Sequence, residues 1–120
     1  MKVRCVRLLD SRSKPVDRSP WAKVGAVYHV LCIWIDDGRM RFRIVGEENT
    51  TPALFEPQMF EIVSSVIPAA WVVTSPKPGA LSFAPASWSR PGFWEDFFDG
   101  QPDARAAFDN EREKIVASDP

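Results

Sequence analysis

His29 is the single histidine of this chain and stands three residues before Cys32, the second of two cysteines. A Cys–His pair can generate a thiolate nucleophile, but only where both side chains meet on one face. In a strand, residues three apart point to opposite faces, so the spacing speaks against such a pair. Cys5, His29 and Cys32 also lack a fourth ligand and the short spacings of a zinc site. The two cysteines read as buried free thiols rather than as a disulfide. Carboxylate pairs occur at Glu47-Glu48 and Glu95-Asp96. Neighbouring side chains diverge on a strand or a helix, so neither pair shares a proton site. There is no GxGxxG run and no P-loop. The residues therefore predict a protein that is not an enzyme and that uses no cofactor and no metal.

Two charged groups remain. Arg39, Arg41 and Arg43 alternate with Met40, Phe42 and Ile44. A period of two places the arginines on one wet, cationic face and the apolar residues on the other. Joined by Lys2, Arg4 and Arg7 on an adjoining strand, they would form an anion-binding face. This is the nucleic-acid alternative, and its affinity would fall steeply with salt. An isoelectric point near 5.8 weighs against it. The second group is acidic: Glu95, Asp96, Asp99, Asp103, Asp109, Glu111 and Glu113, with Trp88, Trp94 and Phe98 close by. Aromatic anchors ringed by charge suit a protein–protein hot spot. Glu95, Asp96, Asp99 and Asp103, with Trp88 as anchor, are the expected partner-binding residues. The plainer alternative is that the aromatics seal this tail onto the fold and the acids are merely solvated. Charge is divided along the chain: ten basic and four acidic residues up to Val45, five basic and twelve acidic after it. Two surfaces of opposite sign follow, and either could steer a partner.

The elements that must position these groups are mostly strands. Met1 to Leu9 reads as a first strand, Asp10 to Pro20 as a basic polar loop, and Trp21 as a cap over the fold. Val27 to Ile35 is apolar apart from His29. It suits either a strand covered on both sides or one that bends and changes faces. Asp37-Gly38 supplies the positive φ angles of a tight hairpin turn. Glu47 to Pro52 reads as a loop, Ala53 to Glu56 as a strand and Pro57 as the start of a single tight turn, with strand character resuming at Glu61-Ile62-Val63.

Val3-Arg4-Cys5-Val6, a polar loop, Val24-Gly25-Ala26-Val27-Tyr28-His29-Val30, the hairpin, Phe42-Arg43-Ile44, and Leu54-Phe55 to Val63 together resemble small bacterial SH3-like barrel domains. Those domains carry a threonine-x-glycine-x-x-tyrosine-x-valine motif, of which Gly25, Tyr28 and Val30 match; before the glycine this chain has Lys23-Val24 and no threonine. The resemblance covers about the first half of the chain. It implies a fold and carries over no catalytic residue.

Beyond Val63 the composition shifts. Ala70 to Thr74 and Ala80 to Ala84 read as a hairpin around Pro76 and Pro78. Pro91 to Asp99 reads as a short aromatic helix stopped by Gly100, and Pro102 to about Ala117 as a second helix. Ala104, Ala107, Phe108, Ile115 and Val116 form its apolar stripe. The expected class is therefore α+β, mainly β with C-terminal helices: an SH3-like barrel or bent antiparallel sheet over residues 1–65, and an extension over 66–120 carrying a hairpin and two helices. All 120 residues read as one domain. Without a long apolar run or leader pattern, a cytoplasmic, non-membrane protein is expected. In size, class and acidic surface the chain resembles immunity proteins of bacterial contact-dependent growth inhibition. That resemblance implies a protein partner, a basic toxin domain, with nucleic acid second.

Overall fold

The computed structural model describes residues 1–48 and 51–120. Asn49 and Thr50 of the expected loop lie outside the described residues. The fold is mixed α+β, with two antiparallel sheets followed by helices. In the first sheet β1 (Lys2–Cys5) lies between β2 (Val27–His29) and β6 (Phe60–Ser64). The second sheet contains β3 (Cys32–Asp36), β4 (Arg39–Val45), β5 (Pro52–Phe55), β7 (Trp71–Thr74) and β8 (Leu81–Pro85), in the order β5-β4-β3-β8-β7. Among the described residues neither sheet closes into a barrel, which corrects the closed form of the expectation. The hairpin of the 66–120 extension completes the second sheet, because β8 pairs with β3 along Ile33–Phe83 and Ile35–Leu81.

The apolar run from Val27 to Ile35 resolves into the bent alternative. It leaves the first sheet at His29 and joins the second at Cys32. Val30 enters the core shared by the two sheets and Leu31 enters the core beneath the helices. Their N–H groups are both satisfied, Val30 by the Met1 carbonyl at 3.0 Å and Leu31 by the Arg43 carbonyl at 2.9 Å. A continuous apolar run is needed here because consecutive residues face two different interiors. The hairpin forms as its sequence dictates: Asp37 and Gly38 both take positive φ, 51° and 72°, and Asp36 pairs with Arg39 across the turn.

Pro57–Met59 forms the single tight turn and β6 starts directly after it. The helices also fall close to where proline and glycine place them, α1 at Phe93–Phe98 and α2 at Pro102–Ser118. Phe93 and Phe97 of α1 and Ala104, Phe108 and Ile115 of α2 pack with Leu31, Cys32, Ala84 and Trp88. Each large side chain so buried contributes about 1.5–3 kcal/mol, which makes the tail an integral layer. The end of α2 is tied across the first sheet. Asp119 accepts hydrogen bonds from the Ser64 hydroxyl at 2.7 Å and the Met1 amino group at 3.0 Å. These bonds hold its carboxyl below the usual carboxylate range. His29 donates from Nε2 to the Asp119 carbonyl at 2.6 Å. No described helix is long and apolar enough to cross a membrane.

Candidate protein-binding site

Register assembles one row across three strands: Cys32 of β3 opposes Arg43 of β4, which opposes Leu54 of β5. Paired residues share a sheet face, so these three lie together, with Trp34 two positions along. The other face sends Ile33, Phe42, Ile44 and Phe55 into the first core. The alternation expected for Phe42 and Ile44 therefore holds, while Met40 is exposed near the hairpin end.

The face carrying Arg43 is not open water. Helix α1 covers part of it, and the Arg43 guanidinium lies 3.7 Å from the centre of the Trp94 ring. A desolvated cation–π contact of this kind contributes about 2 kcal/mol. The Arg43 Nε is buried and has no hydrogen-bond partner. Burial lowers the pKa of Arg43 and pushes the Cys32 thiol up to about 11, with each group partly offsetting the shift of the other. Cys32 is therefore a thiol at neutral pH, and His29 sits in the other sheet. Burial outweighs the pull of Arg43, and no other described group activates this cysteine as a nucleophile.

The expected cationic face does not form as one surface. Arg39 and Arg41 reach Glu56 at 3.6 and 3.8 Å, whereas Arg43 lies under Trp94. Lys2 and Arg4 belong to the other sheet, where Arg4 bonds Glu61 at 2.8 Å and Lys2 the Pro120 carbonyl at 2.7 Å. The correction is physical: periodicity sorts side chains onto faces, but a helix arriving from later in the chain decides which face stays wet.

Trp88 is also relocated. It is 2% exposed, stacks on Phe108 at 5.0 Å and on Phe93 at 6.4 Å, and donates from Nε1 to the Ala107 carbonyl at 3.2 Å. It is a core residue between the sheet and the helices, not an anchor presented to a partner. The acids stay on the outside but are not one cluster. Glu95 on α1 and Asp99 at its C-cap are both exposed, one turn apart. Asp96 is bound to Arg90 at 2.9 Å and shares a hollow with Asp103 and Pro102.

What the tertiary structure does bring together is apolar. Trp21, Leu54 and Phe98 are 43%, 43% and 51% exposed and line one shallow hollow of about 510 Å3. They come from the first loop, from β5 and from the end of α1, so their proximity had no local signal in the sequence. Gly46 seats Trp21: a Cβ there would stand 1.8 Å from the Trp21 carbonyl oxygen, which instead accepts the Glu47 N–H at 2.9 Å. Gly46, at the end of β4, is therefore required by close backbone approach. Trp21 is not the buried cap expected. Phe98 is held outward by its helix, with Trp94 one turn back at 6.1 Å between ring centres. Compared with protein-family models, with curated proteins and with solved structures, the chain matches none.

Proposed function

We propose that this chain is a binding protein rather than an enzyme, and that it grips a protein partner at the hollow of Trp21, Leu54 and Phe98. The observation that carries this reading is the convergence of three large, half-exposed apolar side chains from distant parts of the chain. Tryptophan and large aromatics in a central depression are what interface hot spots are made of. Glu95 on α1 and Asp99 just beyond its end, both exposed, favour a basic partner and speed its encounter. The most concrete form of the reading is an immunity protein that neutralises a basic toxin domain by occlusion.

Co-expression with a toxin domain encoded beside this chain tests it. The native chain should protect the cells. Trp21→Ala and Phe98→Ala should each weaken the complex by about 2 kcal/mol, roughly thirtyfold, while leaving the melting temperature nearly unchanged. Glu95→Lys with Asp99→Lys should slow association and flatten its salt dependence. Equal cell death with and without the chain, or alanine variants that bind as the native chain does, would defeat the proposal.

A further inference from the structure

Arg43 is a half-buried cation, and no described carboxylate stands within ion-pair distance of it. Two and four positions away on the same strand, Arg41 and Arg39 share Glu56. Arg43 instead has the face of Trp94 on one side and the Cys32 thiol opposite. Its Nε–H is buried and unbonded. A guanidinium stays charged at any physiological pH, so Arg43 keeps a charge and donors for an anion to answer.

The space for that anion is present. Arg43 lines a cleft of about 510 Å3 between the second sheet and the 88–95 segment. Trp34, Leu54, Pro76 and Trp94 give it apolar walls, and Arg90 and Glu95 line it as well. The volume falls within the range of small-molecule sites, and largely apolar walls with a few polar groups are theirs too.

We propose that this cleft binds a small monocarboxylate with a flat apolar body. The carboxylate takes the donors of Arg43, and the body lies against Trp34 and Trp94. A single guanidinium fork matches the two coplanar oxygens of a carboxylate. Glu95 offsets the charge of Arg90, and the apolar walls disfavour a strongly hydrated ligand such as inorganic phosphate. The cleft adjoins the hollow proposed for the partner, since Arg43 and Leu54 line both, but the carboxylate titration needs no partner, so the two readings fail separately.

The test is a two-dimensional NMR titration of the full chain at constant ionic strength with benzoate and indole-3-acetate. Benzyl alcohol and inorganic phosphate serve as comparators. Saturable shifts are expected at the Arg43 Nε–H and at the Trp34 and Trp94 indole N–H for the two carboxylates. Benzyl alcohol should bind about tenfold or more weakly, since it lacks the charge-assisted bond. Arg43→Met should keep the native fold, with a modest fall in melting temperature from the lost Trp94 contact, yet lose carboxylate binding about tenfold or more. Arg43→Lys keeps the charge without the fork, and it should bind carboxylate more weakly than the native chain. It decides the matter should Arg43→Met fail to fold. Absence of saturation by both carboxylates, equal binding of benzyl alcohol or of phosphate, or undiminished carboxylate binding by the folded Arg43 variant would each overturn the proposal.

Discussion

Trp88→Ala separates a core role from a docking role more sharply than any other single change. In the structure the indole is 2% exposed and is enclosed by Phe93, Trp94 and Phe108 at 6.4, 5.8 and 5.0 Å between ring centres. Truncating a buried tryptophan to alanine costs about 3–5 kcal/mol in transfer and cavity terms. The lost Nε1–H bond to the Ala107 carbonyl adds about 1 kcal/mol, and no more, because that carbonyl keeps its own helical donor. A loss of about 4–6 kcal/mol is a large part of the 5–15 kcal/mol that holds a domain of this size. Urea denaturation followed by circular dichroism should show the midpoint falling by roughly 2–3 M at an ordinary slope of about 2 kcal/mol per M. Trp88→Phe keeps a ring against Phe108 but loses the indole donor, and it should cost clearly less. If Trp88→Ala unfolds within about 1 kcal/mol of the native chain while partner binding collapses, the residue is an anchor after all, and the packing account of the second core fails.

Gly46→Ala should destabilise the chain by about 1–3 kcal/mol and shift the Trp21 indole resonance, because the added Cβ meets the Trp21 carbonyl oxygen; an unchanged melting curve and spectrum would contradict that close approach. Tyr28, the only tyrosine, donates to the Glu47 carboxylate at 2.9 Å and accepts the Lys23 N–H at 3.0 Å. Burial, more than the nearby Glu47 charge, pushes its phenol up to about 12. A folded pKa above the unfolded one means this contribution to stability is complete below the unfolded value of about 10 and is lost as pH rises through 12. Ultraviolet titration of the phenolate should give the raised midpoint, and a midpoint at the free-tyrosine value would show the ring to be open to water.

Local signals carried much of the fold. The Asp37-Gly38 turn, the Pro57 turn, the two helices opened near proline and separated by Gly100, and the inward phase of Phe42 and Ile44 all act within a few residues. They were legible because backbone conformation and face alternation follow from the residues themselves. The open pair of sheets was not legible in that way, since the bend at Val30-Leu31 is compatible with a barrel and with two separate sheets alike. The candidate site was legible least of all. Glu95 and Asp99 were marked by charge, but Trp21 and Leu54 carry no motif, and they meet Phe98 only through long-range packing.

By itself, then, the amino-acid order determines where this chain turns, where it is helical and which side chains alternate. Tertiary structure alone decides that Trp88 is interior, that Trp21 is exposed, and that Arg43 is half-buried beneath Trp94 while its strand neighbours reach Glu56. The reason is that periodicity assigns a residue to a face, whereas burial depends on what is packed against that face. Here the covering helix begins about fifty residues after Arg43, so no window along the chain contains both partners.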